Sequence, residues 1–380
     1  MEKRIYLDYA ATAPVRPEVV KVMKPYFSER FGNAASIHRF GQQAQKATDE
    51  ARRKVAEILN CKPLEIIFTS SGTEADNLAI YGLAKNYPDG HIITTTIEHK
   101  AALETCRALG QTGLKVTYIK PNQEGIVSVE QITKAITPKT FLVSIMYANN
   151  EVGTIQPIRE IGLMLKRENQ KRKQPIYFHT DAVQAGNLLS LDTQILHTDM
   201  LTLSGHKLGG PKGVGLLYVR DGVPLQPIIY GGGQERGLRS GSLNVPGIVG
   251  LATALEMVQR QKPAETKRLS ELQKYLIKEL RKLPQIEFNG SLTSRLVNNL
   301  NFSVKGKTSD ELVIGLDRRG IAVSAASACA AGSVEPSYVL LAMGLNATRA
   351  NSSVRITLGY LTKKPDLVKL AKELKQLAAN

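Results

Sequence analysis

Apolar residues along this chain recur in two rhythms. Short runs rich in β-branched and aromatic residues occur at EIIFTS (65–70), HIITTT (91–96), FLVSIMY (141–147), IYFHTD (176–181), MLTLSG (200–205) and VGLLYV (214–219). Runs of this composition read as buried strands. Between them, 73–87, 100–109 and 158–172 carry helical patterns. Strand and helix in alternation predict an α/β fold with a largely parallel sheet covered on both faces. Ligand chemistry in such sheets collects beyond the carboxyl ends of the strands.

The texture changes near residue 258. QRQKPAETKRLSELQKYLIKELRKL (259–283) reads as a long, charged amphipathic helix. A strand (298–304), a helix near 308–319, a strand (354–358) and a final helix from Pro365 follow. This predicts a large domain over 15–258 and a smaller α+β domain formed by 259–380 with residues 1–14.

Composition narrows the function classes. With 380 residues and 42% hydrophobic content, the chain suits a globular protein with a full core. It has no run near the roughly 18 apolar residues of a membrane span, and its start, MEKRIYLDYA, lacks the apolar core of a signal peptide. Cysteines at 61, 106 and 329 make neither a disulfide framework nor a metal cluster, so a cytoplasmic location is expected. Net charge is +16, yet its densest run, KRENQKRK (166–173), resembles the solvated end of a helix and has no interleaved aromatics. Direct nucleic-acid binding is therefore not expected.

Candidate chemistry sits just past the strands. In LSGHKLGGPKGVGLLYV (203–219), Lys207 stands among Ser204, His206 and several glycines. A lysine that forms a Schiff base needs such company, though a Gly-rich hairpin with an exposed lysine would look similar. In IYFHTDAVQAG, Asp181 suits a protonated ring nitrogen and Gln184 a phenolic oxygen. Asp181 could equally cap the next helix. TSSGTEADNLAI (69–80) has a turn with Gly72 and Thr73 opening a helix, a place for phosphate. Thr73 with Asp76 also reads as an ordinary cap. His99 in TTTIEHKAAL (94–103) and Asn150 in SIMYANNEVGT (144–154) are a proton carrier and a carboxylate contact, or turn residues. Cys329, in SAASACAAGS (324–333), is a buried small hydrophobe or a nucleophile among small residues.

Together with LDYAATAPV (7–15), GGGQERGLRSGSLNVPGIVG (231–250) and SACAAGSVEPSYVL (327–340), these motifs resemble the cysteine desulfurases over nearly the whole chain, in order. The resemblance implies the fold type I pyridoxal-phosphate architecture, with a mainly parallel seven-stranded sheet and a smaller α+β domain, working as a homodimer. Lys207 would bond the cofactor's aldehyde, Asp181 would pair with its ring nitrogen, Gln184 would meet its phenolic oxygen, and His99 would stack on it and shuttle protons. Gly72, Thr73, Ser204 and His206 would hold the phosphate, with Ser242 arriving from the partner. Asn150 and Arg355 would hold the substrate carboxylate. Cys329 would take sulfur from L-cysteine as a persulfide, release L-alanine and pass the sulfur to an iron–sulfur scaffold or another acceptor. A selenocysteine lyase or an aminotransferase of the same fold is the alternative. Ala326 and Ser242 stand where the family commonly has glycine and threonine. The sequence ends on a helical stretch, LVKLAKELKQLAAN, without the tail that helps cluster-assembly members dock a scaffold, which leaves the docking mode open.

Overall fold

The computed structural model describes residues 4–325 and 335–379. After a short strand, β1 (Ile5–Tyr6), seven strands form the central sheet: β2 (Ile66–Thr69), β3 (His91–Thr95), β4 (Lys115–Ile119), β5 (Thr140–Ser144), β6 (Tyr177–Asp181), β7 (Met200–Ser204) and β8 (Gly215–Val219). Their order is β2-β8-β7-β6-β5-β3-β4. The neighbours from β7 to β4 pair in parallel, while β8 runs antiparallel to both β2 and β7.

Six strands coincide with the apolar runs because they are buried on both faces. Ile66 and Phe68 of β2 enter one core, and Ile67 between them enters the other. Each such side chain contributes roughly 1.5–3 kcal/mol by leaving water. The seventh, β4, reads KVTYI and begins exposed. It lies at the sheet edge, so its polar letters do not stand out as a strand. Helices Gly72–Ala84 and Lys100–Gln111 cover one face, and Arg39–Leu59 and Ile158–Asn169 the other. The basic run 166–173 is not simply a solvated helix end. Arg172 lies largely out of water and donates to the carbonyls of Thr137, Pro138 and Thr140.

Beyond the central sheet lie β9 (Ile286–Asn289), β10 (Asn299–Val304), β11 (Ile321–Ala322), β12 (Ser324–Ala325) and β13 (Ser353–Thr357). Four of them make an antiparallel sheet in the order β12-β13-β10-β9, and β11 pairs in parallel with β1. Helices Ser309–Arg318 and Lys364–Ala379 pack with this sheet around a second core that includes Ile5 and Leu7.

The long helix differs from its expected start. It runs unbroken from Val245 to Leu280, through Pro263. Ile248, Leu251, Leu255 and Val258 belong to the first core, and Leu269, Leu272, Leu276 and Leu280 to the second. The change of texture at 258 marks where one helix passes between two cores, not where a helix begins. Among the described residues, no helix is long and apolar enough to cross a membrane.

Candidate active site

Residues just past β2, β3, β5 and β7, with Asp181 at the end of β6, line a cavity of about 590 Å³. That size suits a small-molecule ligand. Of the twelve residues singled out from sequence, Gly72, Thr73, His99, Asn150, Asp181, Gln184, Ser204, His206, Lys207 and Arg355 line it. Ser242 is exposed and is not among the lining residues. Cys329 lies outside the described residues.

The turn after β2 becomes helix Gly72–Ala84. Its cap is Ser71, whose hydroxyl accepts from the Glu74 N–H at 3.1 Å. Thr73 and Asp76 therefore do not form the cap that their spacing suggests. The first N–H groups of a helix have no partner within it and attract an anion. Gly72 keeps this cradle open, since a Cβ there would lie 3.0 Å from Val183 Cγ2 and 3.4 Å from Ser204 Cβ. The antiparallel β7–β8 hairpin closes against the same turn. A Cβ at Gly215 would lie 2.5 Å from the Ser71 carbonyl carbon, so only glycine lets the two backbones meet.

That hairpin carries Lys207. Its Nζ donates to the carbonyls of Ala10 at 2.5 Å and Ala11 at 2.6 Å. Gln184 Nε2 donates to the same Ala10 carbonyl at 3.0 Å. Ala10, Ala11 and Thr12 line the cavity, a contribution the sequence reading missed. Its signal, the pair of small residues in LDYAATAPV, carries no side-chain chemistry. His206 Nδ1 lies 3.1 Å from the Thr12 hydroxyl. Burial, then Lys207 and Lys212, push its pKa down to about 4, so it meets a ligand as a neutral imidazole.

Asp181 is buried, and its Oδ1 accepts the Val183 N–H at 2.9 Å. Burial raises its pKa, while His99, the Val183 bond and Lys207 oppose that shift. His99 caps helix Lys100–Gln111, with Nδ1 accepting the Ala101 N–H at 3.1 Å. Burial lowers its pKa, with Asp181 opposing and Lys207 and Lys100 adding to the effect. The neutral ring must then carry its proton on Nε2.

The far wall comes from the second sheet. Arg355, in the middle of β13, is buried, donates Nη1 to the Asn150 carbonyl at 3.1 Å and pairs through Nη2 with Asp8 at 2.7 Å. Asn150 Oδ1 is buried with no hydrogen-bond partner. Asp8 is another side chain that sequence reasoning passed over, and Asp76 one that it read only as a cap. The described chain stops at Ala325 and resumes at Glu335, and both margins reach this wall. Ser324 is the cross-strand partner of Arg355. Ser337 donates to Glu151, and the Tyr338 hydroxyl donates to the Glu98 carbonyl at 2.6 Å. Cys61 and Cys106 are not thiolates at neutral pH, because burial pushes both up to about 12.

An amine, a carboxylate at a strand end, an open anion cradle and an orphaned amide oxygen share one cavity. This donor set fits pyridoxal phosphate, which presents an aldehyde, a basic ring nitrogen and a phosphate.

Comparison with known proteins agrees. The pattern of the family described as aminotransferase class-V matches residues 5–370. The chain is 47% identical over 372 residues to cysteine desulfurase IscS of Clostridium botulinum (strain Hall), covering 97% of this chain and 92% of that one. Among solved structures, a protein titled NifS-like superposes with a TM-score of 0.91 at 38% identity, covering 99% and 98% of the two chains. Another, titled SspA in complex with cysteine, gives 0.83 at 40% identity, covering 93% and 98%. Similarity of this extent places the chain in the aminotransferase class-V family and, within it, among the cysteine desulfurases.

Proposed function

We propose that the protein is a pyridoxal 5'-phosphate-dependent cysteine desulfurase. It converts L-cysteine to L-alanine, keeps the sulfur on Cys329 as a persulfide and passes it to an iron–sulfur scaffold or another acceptor. The observation that carries this reading is the convergence of Lys207, Asp181 and His99 on one cavity with a helix-end anion cradle. When bound, the cofactor supplies an electron sink for the substrate's α-carbon.

The chain's own residues do the rest. Lys207 would hold the cofactor at its aldehyde carbon, and its amine would be placed to take the substrate's α-proton. Asp181 would pair with the ring nitrogen, and Gln184 would bond the phenolic oxygen. Gly72, Thr73, Ser204 and neutral His206 would hold the phosphate, with Ser242 supplied by a second copy. Arg355 and Asn150 orient the substrate carboxylate, because a guanidinium meets a carboxylate through paired donors. His99 would cover the ring and is the residue that would give a proton, from Nε2. The Cys329 thiolate attacks the substrate sulfur, and the substrate's Cβ–S bond breaks with its electron pair left on Cβ, which takes up a proton so that alanine can leave. Cys329 lies four positions beyond Ala325.

The same reading includes a homodimer. Its support is a run of exposed apolar side chains in residues 27–40, with Phe27, Phe31 and Phe40 exposed, Phe31 stacked on Phe40, and Ile37 92% exposed. It divides the chain into a large domain (15–258) and a smaller one (1–14 and 259–380), supported by two separate cores. A cytoplasmic location follows from the three scattered cysteines.

The test is to incubate the protein with pyridoxal phosphate and L-cysteine, then measure alanine and one added sulfur on the Cys329 peptide. Lys207→Ala is expected to lose both products. A Lys207→Ala protein that makes alanine at the wild-type rate would overturn the reading.

A further inference from the structure

The wall around Asp181 holds more acid than the proposed chemistry uses. One turn into helix Gly72–Ala84 stands a second carboxyl, Asp76, buried and lining the same cavity. One oxygen or nitrogen each from Asp76, Asp181 and His99 lies within 4.8 Å of the others. Two carboxyls this close, both out of water, cannot both ionise without a large cost.

Their surroundings decide which one keeps the charge. Asp181 has the Val183 N–H as a donor, and the charge of Lys207 favours its ionised form. Asp76 has far less support. Its Oδ1 has no hydrogen-bond partner, and an ionised oxygen buried without a donor is costly. The basic group beside it is His179, with Nε2 at 3.5 Å. That ring is no cation. It lies between the hydroxyls of Ser144, at 2.9 Å, and Thr202, at 3.1 Å, and burial pushes its pKa down to about 3. From the β3 end, Glu98 adds another acid, and from helix Lys100–Gln111, Cys106 adds an un-ionised thiol. Burial, then the charge of Asp181, lift Asp76 well above the usual carboxylate range. The Thr202 hydroxyl opposes this shift, and Glu98 adds to it.

We propose that Asp76 is a positioning residue acting through Asp181: at neutral pH it holds a proton, so the two carboxyls carry one negative charge between them, placed on Asp181. The proposal rests on the cofactor reading above. Its effect is to fix how much charge faces the ring nitrogen. When the pH rises far enough for Asp76 to lose its proton, a second negative charge enters the site. That charge favours the protonated form of the bond between Lys207 and the cofactor, and it holds that proton to higher pH. The visible absorbance of the bound cofactor therefore titrates in more than one step.

The test compares wild type with Asp76→Asn, both loaded with pyridoxal phosphate, by titrating cofactor absorbance from neutral to alkaline pH. Circular dichroism confirms that the variant is folded. Asparagine mimics the protonated acid and cannot ionise. The two spectra are expected to coincide at neutral pH, and the variant is expected to lose the late alkaline component. A variant spectrum already shifted at neutral pH would mean that Asp76 is charged there, and would overturn the proposal. So would titrations that superimpose throughout, or a single-step titration in the wild type, which needs no variant to fold. A wild type that takes up no cofactor would instead sink the reading beneath it, so the two failures are distinguishable.

Discussion

Arg355 does not wait in the cavity wall as an unpaired cation: Asp8 holds its Nη2 at 2.7 Å. The two residues come from opposite ends of the chain, brought together because Asp8 bridges to Thr357, two positions past Arg355 on β13. With Nη1 on the Asn150 carbonyl, the guanidinium is fixed at two points, while Nε has no hydrogen-bond partner. Replacing Asp8 by alanine leaves a buried guanidinium without its counter-charge. That is expected to cost about 2 kcal/mol, below the full buried-pair value because Asp8 is partly exposed. A substrate carboxylate would then replace the lost partner. Asp8→Ala should therefore melt earlier than wild type, yet gain more melting temperature from added L-alanine. Melting curves with and without the amino acid check this. An equal ligand-induced shift in both proteins would count against it.

The anion cradle makes a steric prediction. A Cβ at Gly72 already sits at the tight limit against Val183 and Ser204. Gly72→Val adds two methyl groups that must enter the space beneath the helix end. Cofactor affinity is expected to fall at least about tenfold, roughly 1.4 kcal/mol, with Gly72→Ala between it and wild type. Titrating the apo-protein with pyridoxal phosphate measures the series. Unchanged affinity in Gly72→Val would show that the phosphate lies elsewhere.

Residues whose chemistry is in the side chain and whose place is just past a strand were legible in the sequence. Lys207, Asp181, His99 and Asn150 are of this kind, and all four line the cavity. Ala10 was not, because what Lys207 and Gln184 use is its carbonyl, and every residue has one. Asp76 was misread because a polar residue three places after another suggests a cap whether it caps or is buried. Only the fold shows Ser71 taking the capping role. The long helix was misplaced for a related reason. Its charged half and Pro263 look like a new element, whereas its continuity depends on which core each face meets.

A second stability prediction concerns the segment 231–250. Glu235 and Arg236 both have left-handed backbones, φ 48° and 59°, which costs on the order of 1 kcal/mol each for residues other than glycine. What holds Glu235 there is a paired bond from Arg52, 2.6 Å to Oε1 and 2.9 Å to Oε2, plus the Phe68 N–H at 2.9 Å. Its side chain is almost fully buried. Glu235→Ala strands the Arg52 charge and the Phe68 N–H, and is expected to cost about 3 kcal/mol. Glu235→Gly loses the same bonds but relaxes the strained φ, so it should recover about 1 kcal/mol of that loss. Urea unfolding of the three proteins gives the order. A glycine variant less stable than the alanine variant would contradict the strain argument.

Glu98 makes the stability of the protein depend on pH in a direction that can be worked out. It is fully buried, and its Oε1 accepts from the Thr95 hydroxyl at 2.6 Å and the Met146 N–H at 3.1 Å, while Oε2 has no partner. Burial pushes its pKa up from 4.5 to about 8, with the Thr95 and Met146 bonds opposing. The folded state therefore holds this proton more tightly than the unfolded chain does. The stability it confers is complete below the unfolded value and is lost as pH rises through the folded one. His179, lowered from 6.5 to about 3, works in the opposite direction, but only below 6.5. The interval above 6.5 is thus free of its contribution. Glu98→Gln keeps an acceptor at Oε1 and cannot ionise. Its unfolding free energy relative to wild type should be flat below about 4.5, rise between about 4.5 and 8, and level off above 8. Denaturant titrations at several pH values measure that difference directly. A constant difference across the whole range would show that Glu98 does not change protonation on folding.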